Sequence, residues 1–317
     1  MIAHWDEVEG KPRSMGHLGG TWTNLGRAAE TVGAGVQRIQ LPPGRWSTPA
    51  HVHGRNEEIF YVLAGTGLSW QDGETYEVRS GDCLVHRVAG RAHTLLAGDD
   101  GLDVLVFGTR HWDEAPTLPR ASSVWLGEGW VVLAGEEDHP WKREVAAGPP
   151  ELPAERSPRP PSIVNVADVP ADPDDDTPPE YEAEWRDLGR SAGSERTGIQ
   201  HIRVEPGRLN CQHHCHSAEE EIFVVLEGDG TLELVPSPRS STQEEQRIPV
   251  RAGHVVSRPP GTRVAHAFRA GDNGLALLAY GTREPNDIAY YPRSRKLNFR
   301  GVGVIVRAEP IDYWDGA

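Results

Sequence analysis

The sequence has no run of about 18 consecutive apolar residues, the shortest stretch that usually crosses a bilayer as a helix. We therefore expect no transmembrane helix. Residues 1–13 also lack a basic start followed by an apolar stretch, so we expect no secretory signal. The chain has only three cysteines, and an odd number cannot all pair with one another, which favours a reducing compartment. The expected location is cytoplasmic.

Positive charge is scarce as well. The chain has 32 lysines and arginines against 47 aspartates and glutamates, which gives a formal net charge of −15. A field of this sign repels phosphate backbones and anionic lipid surfaces. Neither nucleic acid nor a membrane is therefore expected as a partner, and a small-molecule partner fits the charge better.

Long segments with apolar residues at helical spacing are missing too. The 35 glycines and 26 prolines instead favour a turn-rich chain. The segments GVQRIQL, from Gly35, and GIQHIRV, from Gly198, alternate apolar and polar residues as strands do. EIFYVLAGTG and EIFVVLEGDG are rich in β-branched and aromatic residues. We expect an all-β fold of sandwiches or small barrels.

The chain contains two copies of one unit. The segment from Leu25 aligns without a gap with the segment from Leu188, at an offset of 163. After a polar insertion in the second copy the offset settles at 173, where AHTLLAGDDGLDVLVFGTR matches AHAFRAGDNGLALLAYGTR. We predict an N-terminal domain at 1–147, a proline-rich linker at 148–161 and a C-terminal domain at 162–317. Segments 122–135 and 298–309 are expected to close the two barrels, and the acidic segment 170–180 to be an exposed loop.

Each copy carries a cluster of metal-ligand residue types. His51 and His53 are two residues apart, so both imidazoles point to one face of a strand. Glu58 begins the next predicted strand, and His93 comes from a distant segment. The second copy has the same residue types in the same order: His214, His216, Glu221 and His266. Three imidazoles and a carboxylate that converge inside a barrel would bind a divalent transition metal. A polar barrel mouth without metal is the alternative.

The spacing of these residues carries a family resemblance. The form G-x6-H-x-H-x4-E-x6-G runs from Gly44 to Gly65 and again from Gly207 to Gly228. It resembles the cupin superfamily, and two copies resemble a two-domain bicupin. The resemblance implies two tandem double-stranded β-helix (jelly-roll) barrels, each with one metal ion in its mouth. The ion could be iron, manganese, nickel, copper or zinc, because imidazole and carboxylate accept several first-row metals.

The resemblance also implies a reaction class. We expect a metal-dependent enzyme that acts on a small oxygen-rich molecule, with dioxygenase-type oxidoreductase chemistry first. Glu58 and Glu221 are the candidate catalytic residues, because a weakly bound carboxylate can exchange between ligand and base. A metal-dependent lyase (decarboxylase-like), hydrolase or isomerase is the alternative, and a non-catalytic metal-stabilised binding or storage protein is another. A homodimer is a further expectation.

Parity along the strands separates other residues from the candidate ligands. Cys211, His213 and Cys215 have the opposite parity to His214 and His216, so they are expected to face away from the metal. Three glutamates beside the predicted ligands are expected to be solvated neighbours: Glu57, Glu219 and Glu220. Four arginines recur in the repeat and either hold an anionic substrate or form structural salt bridges, with the salt bridges preferred: Arg45, Arg110, Arg208 and Arg283.

Overall fold

The computed structural model describes residues 1–126, 129–132, 139–173 and 177–316. Almost all of the regular structure in these residues is β-strand, as the alternating segments predict. The strands up to the end of the first copy are β1 (Ile2–His4), β2 (Lys11–Met15), β3 (Leu18–Thr23), β4 (Ala34–Leu41), β5 (Glu58–Gln71), β6 (Glu74–Arg79), β7 (Asp82–His86), β8 (His93–Thr109), β9 (Thr117–Leu118), β10 (Ser123–Leu126) and β11 (Gly129–Val132).

The strands of the second half follow the same order with a longer hairpin at the insertion. They are β12 (Ile163–Asn165), β13 (Ala183–Asp187), β14 (Gly198–Val204), β15 (Cys215–His216), β16 (Glu221–Pro236), β17 (Gln246–Arg251), β18 (His254–Arg258), β19 (Val264–Gly281), β20 (Ile288–Tyr291), β21 (Lys296–Phe299) and β22 (Val304–Arg307).

Helices are few and short in the described residues. The α-helices are α1 (Leu25–Ala28), α2 (Pro140–Ala146) and α3 (Leu188–Ser191), and 3₁₀ turns occur at Pro119–Ala121, Pro179–Tyr181 and Arg300–Val302. Asn24 and Asp187 cap the first and third helices at equivalent places in the two copies, each accepting a backbone N–H bond. None of the described helices is long and apolar enough to span a membrane.

Each copy forms one large and one small antiparallel arrangement of strands. In the first copy the large sheet has the order β12-β7-β5-β8-β4-β3-β2, with β6 paired to β5, and the small sheet is β11-β10-β9. In the second copy the large sheet is β1-β18-β16-β19-β14-β13, with β17 paired to β16, and the small sheet is β15-β20-β21-β22. The long strand pairs β5–β8 and β16–β19 therefore form the centre of each copy, and both contain register shifts at equivalent positions, within residues 62–67 and 225–230.

The apolar residues on the inward faces of the strands form the core of each copy. In the second half of β4, Ile39 and Leu41 are buried while Arg38 and Gln40 are more exposed, so one face of this part of the strand packs inward. One core cluster of the first copy contains Ile39, Leu41, Phe60, Val62, Tyr76, Val78, Leu84, Leu95, Ala97, Leu102, Val104 and Ile163. The matching cluster of the second copy contains Ile202, Val204, Phe223, Val225, Leu232, Leu234, Val250, Val256, Phe268, Ala270, Leu275 and Leu277.

The chain divides into two compact units. The first unit contains Ala3–Pro170 and Asp187–Ile199, and the second contains Met1–Ile2, Ala171–Arg186 and Gln200–Ala317. The predicted domain boundaries at 147 and 162 stay a prediction. Of the segments expected to close the barrels, 122–135 lies partly outside the described residues, and 298–309 contains the end of β21 and all of β22, the outer strands of the small second sheet. Residues 174–176 of the acidic segment also lie outside the described residues.

Candidate metal centres

The first cluster, here called the first quartet, consists of His51, His53, Glu58 and His93. Glu58 begins β5 and His93 begins β8, so both lie at the same end of the central strand pair. His51 and His93 form an isolated antiparallel bridge, in which each backbone N–H donates to the carbonyl of the other residue. This bridge holds the distant histidine beside the H-x-H segment.

The side chains of the first quartet converge on the carboxylate of Glu58. The Nε2 atoms of His93 and His51 lie 3.0 Å and 3.6 Å from Glu58 Oε2, and His53 Nε2 lies 3.5 Å from Oε1. One ligand atom from each of the four residues lies within 4.8 Å of the others. The structure thus brings together the four residues that the sequence singled out.

The second quartet consists of His214, His216, Glu221 and His266, and it repeats the arrangement. The Nε2 atoms of His266, His216 and His214 lie 3.0 Å, 3.2 Å and 3.9 Å from Glu221 Oε2. His214 and His266 form the same antiparallel bridge as their counterparts in the first copy. The duplicated sequence therefore produces a similar site, with one difference: His214, Glu221 and His266 form one group of possible ligands, and His216 forms another with Glu219 and Asp287.

Several polar atoms of the quartets are buried without a hydrogen bond in the described part of the chain. They are His53 Nε2, His216 Nε2, His266 Nε2 and Glu221 Oε2. A buried nitrogen or oxygen without a partner is costly, unless it meets a ligand that the contacts of the protein alone do not supply. Nε2 atoms and a carboxylate that face one another form a donor set that suits a divalent transition metal. The residues present therefore fit a metal ion.

Protons and metal ions compete for the first quartet. Burial lowers the pKa of His53, but the carboxylates of Glu58 and Glu114 outweigh burial and raise it to about 10. Burial would raise the pKa of Glu58, yet His53 and the other histidines hold it well below its usual range. The buried carboxylate is thus ionised and needs a positive neighbour, which is the requirement that a metal ion meets.

The second quartet has the same electrostatics. Burial lowers the pKa of His216, but Glu221 and Asp287 raise it to about 10. Burial lowers the pKa of His266 to about 3, so this imidazole is neutral and free to donate its lone pair. Both quartets therefore combine an ionised glutamate with an imidazole that holds a proton where a metal ion would sit.

A carboxylate behind each second histidine was missed by the sequence reasoning. Glu114 Oε1 lies 3.4 Å from His53 Nδ1, and Asp287 Oδ2 lies 2.6 Å from His216 Nδ1. Glu114 also accepts hydrogen bonds from three backbone N–H groups of the loop after His53, at 2.7–2.8 Å. The two acids are 173 residues apart, the same offset as the late part of the repeat, and this was the signal that could have identified them.

The cavity of the first quartet is the larger of the two. It measures about 580 Å³, and all but the last histidine of the quartet lie on its wall. Apolar surface comes from Trp22, Phe60 and Phe107, while Arg27 and Arg110 add two guanidinium groups. Neither arginine has an ion-pair partner in the described residues, and Arg110 donates to the Thr31 carbonyl at 3.1 Å. This cavity can hold a small anionic organic molecule beside the quartet.

The cavity of the second quartet is smaller, at about 260 Å³. The strands β20 and β21 contribute Tyr291 and Asn298 to its wall, and Arg300 follows them. Tyr291 stacks on His214, with ring centroids 5.5 Å apart. The polar insertion of the second copy does not line the cavity among the described residues.

The parity prediction fails at one of its three residues. His213 faces away from the quartet and bonds to Glu233 at 2.9 Å, and Cys215 packs in an apolar cluster, as predicted. Cys211 instead lines the second cavity, with its Sγ atom 3.7 Å from His214 Nδ1. Residues 210–213 are not in a strand, so the alternation of faces does not hold there. The equivalent Thr48 lines the first cavity.

The glutamates beside the ligands are not solvated, so that prediction is wrong. Glu57, Glu219 and Glu220 are all buried. Glu57 accepts hydrogen bonds from the Ser194 and Thr197 hydroxyls and from two backbone N–H groups. The loop between the second histidine and the glutamate is short, and it turns inward, so its carboxylates need partners in the protein.

The preferred salt-bridge interpretation holds for Arg208. Arg208 lies 3.6 Å from Glu182. Arg45 donates to the Gly16 carbonyl instead, and Arg110 lies on the wall of the first cavity. Arg283 does not line the second cavity in the described residues. Equivalent arginines of the two copies therefore have different surroundings.

Together, the fold and the quartets define a class: a duplicated all-β protein with two groups of histidines and a glutamate that could hold metal ions. A model of the Cupin domain matches residues 37–107 and 200–279, and each match contains one complete quartet. The chain therefore belongs to the cupin superfamily and carries two cupin domains. The predicted fold of two tandem cupin barrels is confirmed.

Solved structures with the same fold include oxalate decarboxylases. That of Lactobacillus farciminis in a formate complex has a TM-score of 0.57 and 14% identity, over 89% of this chain and 85% of that chain. That of Bacillus subtilis at pH 4.6 has a TM-score of 0.57 and 15% identity, over 89% and 76%. A third, on the Mn(II) centres of the Bacillus subtilis enzyme, has a TM-score of 0.55 and 14% identity, over 89% and 77%. Identities this low show the fold alone. A comparison with curated proteins found no match.

Proposed function

We propose that this bicupin is a metal-dependent enzyme that acts on a small organic acid in the cavity of the first quartet. One observation carries the proposal: a cavity of about 580 Å³ combines His51, His53 and Glu58 of the quartet with the guanidinium groups of Arg27 and Arg110. Guanidinium groups bind carboxylates with two parallel hydrogen bonds. A carboxylate held there would place the rest of a small acid against Trp22 and Phe60.

The residues of the first cavity have different proposed roles. The first quartet would hold one divalent ion, which when bound supplies Lewis-acid polarisation of a substrate oxygen. Arg27 and Arg110 orient the acid, and the aromatic side chains exclude water from its apolar part. Glu58 remains the candidate catalytic carboxylate, because it is ionised and lies on the wall of the cavity among the ring nitrogens of the quartet. Glu221 is its counterpart in the second copy.

Two reaction classes remain as proposals. Dioxygenase-type oxidation is the class that the sequence favoured, and its mark is dioxygen consumption. Decarboxylation, a lyase reaction, is supported by the oxalate decarboxylases among the similar structures. The cavity is roomy enough for acids larger than oxalate, so a wider range of substrates has to be tested.

The test uses the full-length protein. Elemental analysis after purification without added metal gives the identity and number of ions. A panel of small mono-, di- and hydroxycarboxylic acids is then assayed with an oxygen electrode and for released CO2. We expect turnover that is lost on chelation and in His51→Ala, and that persists in His214→Ala. Bound metal without turnover of any acid would contradict the enzymatic proposal and support the metal-stabilised binding or storage protein.

A cytoplasmic location and a homodimer are also proposals. They rest on the composition and on the family resemblance that the sequence carries. Light scattering coupled to size-exclusion chromatography tests the homodimer, with the monomer mass of 34.8 kDa as reference.

A further inference from the structure

The two quartets differ in the residue that lies behind the glutamate. In the first copy His86 is the direct cross-strand partner of Glu58, and in the second copy Arg258 is the direct partner of Glu221. Residues directly opposite each other on antiparallel strands point to the same face of the sheet. Both side chains therefore lie on the quartet side of their sheet, at equivalent positions.

The side chain of His86 confirms this placement in the first copy. Its ring stacks on the ring of His93, with centroids 3.7 Å apart and planes 6° from parallel. It also contacts Phe60 edge to face at 5.1 Å. His86 does not line the first cavity in the described residues, so it supports the quartet from behind and is out of reach of a substrate.

Arg258 occupies the same place with a permanent positive charge. Its side chain is 6% exposed, its Nη2 atom donates to the Val264 carbonyl at 2.5 Å, and its Nε atom has no hydrogen bond in the described part of the chain. No carboxylate of the described residues lies within ion-pair distance of the Arg258 guanidinium. Arg258 is also missing from the wall of the second cavity as described. Its charge therefore acts on the quartet and is not available to bind a substrate.

The carboxylates next to the two quartets are similar. Each quartet has one glutamate ligand and one carboxylate behind its second histidine. The second copy adds Glu219, which stands where the first copy has Asn56, but Arg300 neutralises it in an ion pair. Arg27 and Arg110 line the cavity in front of the first quartet, so the guanidinium of Arg258 is the difference in charge on the side behind the glutamate.

We infer that Arg258 makes the second quartet the weaker of two unequal metal sites. The inference rests on the proposed metal binding. In the empty site the charge of Arg258 is balanced by the nearby Glu221 carboxylate. A divalent ion takes up that carboxylate and places two further positive charges near a buried guanidinium, where screening by solvent is poor. The first quartet has no such cation behind it, so it fills first.

Single-site variants measure the difference directly. His51→Ala leaves only the second quartet complete, and His214→Ala leaves only the first. Apoprotein prepared with a chelator is titrated with Mn²⁺, and free Mn²⁺ is followed by its electron paramagnetic resonance signal. We expect the second quartet to bind at least about tenfold more weakly than the first, the change expected from one poorly screened charge.

Reciprocal substitutions assign the difference to Arg258. Arg258→Gln in the His51→Ala protein should tighten binding by about tenfold, and His86→Arg in the His214→Ala protein should weaken it by a similar factor. Arg247→Gln, which removes an exposed positive charge from β17, serves as the control and should change neither constant. Circular dichroism checks the fold of each variant, and the comparison of the two single-site proteins stands even if Arg258→Gln is unstable.

The outcomes separate the two proposals. Equal affinities of the single-site proteins, or a folded Arg258→Gln protein with unchanged affinity, would overturn the inference and leave metal binding intact. An absence of Mn²⁺ binding by the unsubstituted protein, with no metal found on purification, would overturn the proposed function itself.

Discussion

The carboxylate of Glu114 contacts both the imidazole ring of His53 and the loop that follows this histidine. It lies 3.4 Å from His53 Nδ1 and accepts hydrogen bonds from three backbone N–H groups of the loop. Asp287 does the same in the second copy, with bonds from the Ala218 and Glu219 N–H groups and from the His216 ring. A carboxylate at Nδ1 fixes which ring nitrogen is free and makes the histidine a better ligand.

Glu114→Gln should therefore weaken metal binding at the first quartet. Loss of such a partner typically costs about 10–100-fold in affinity. The Mn²⁺ dissociation constant, measured in the His214→Ala protein, should rise by that factor while the stoichiometry stays at one. Asp113→Asn, which alters a neighbouring acid paired with Arg55 on the surface, is the control. An unchanged constant in a folded Glu114→Gln protein would show that the contact does not position His53.

The sequence located the quartets because their geometry is local and repeated. Two histidines at strand spacing must share a face, and the second copy repeated the whole set at a constant offset. The third histidine was harder to place by spacing, and it is the bridge between His51 and His93 that brings it in.

Other parts of the site depend on contacts that no local rule describes. The parity of Cys211 failed because residues 210–213 are irregular. The buried state of Glu57 depends on Ser194 and Thr197, which lie about 140 residues away in the chain. Tyr291 lines the smaller second cavity, and its counterpart in the first copy is Leu118. The sequence does not show how the hairpin that carries Tyr291 lies against the cavity.

Ligand substitutions should each remove one ion. His51→Ala and His214→Ala take away one imidazole from different quartets, so the metal content should fall from about two ions per chain to about one in each variant. Elemental analysis after gel filtration measures it. His213→Ala is the matched control, because this histidine faces Glu233 and lies outside the quartets. A variant that keeps both ions would refute the assignment of its histidine.

Metal bound only by the folded state should also stabilise the protein. Chelation should lower the melting temperature, because a ligand at 100 times its dissociation constant contributes about 2.7 kcal/mol of stability. Differential scanning calorimetry with and without chelator measures the change. The His51→Ala and His214→Ala proteins should each show only part of it, and a melting temperature insensitive to chelator would argue against both sites.

Arg110 should control substrate binding more than turnover. Arg110→Met removes a guanidinium from the first cavity, so KM for the acid should rise by about tenfold or more, with a smaller change in kcat. Arg283→Met is the matched control, since it alters the equivalent arginine of the second copy, which does not line the described second cavity. Equal effects of the two substitutions would mean that Arg110 acts through the fold.

Tyr291 should limit access to the second quartet. The ring stacks on His214, and the first copy has Leu118 at the equivalent position. Tyr291→Leu should enlarge the cavity beyond its 260 Å³ and let a small carboxylate such as acetate reach the bound ion. In the His51→Ala protein loaded with Co²⁺, acetate should then change the visible spectrum of the Tyr291→Leu variant only. The same spectral response with Tyr291 in place would show that the ring does not restrict access.

His201 should make the second unit sensitive to acid. Its side chain is buried, its Nδ1 atom has no hydrogen bond in the described residues, and burial together with Arg203 lowers its pKa to about 4. The unfolded chain takes up this proton near pH 6.5, so the folded state loses stability as the pH falls from about 6.5 to about 4, and nothing is lost above that window. The loss amounts to about 3 kcal/mol at most.

The His201→Gln substitution should remove this loss of stability. Denaturant unfolding between pH 4 and 7.5 measures it, and His111→Gln, which alters an exposed histidine, is the control. If the two variants lose stability in parallel across this range, the acid sensitivity comes from other groups.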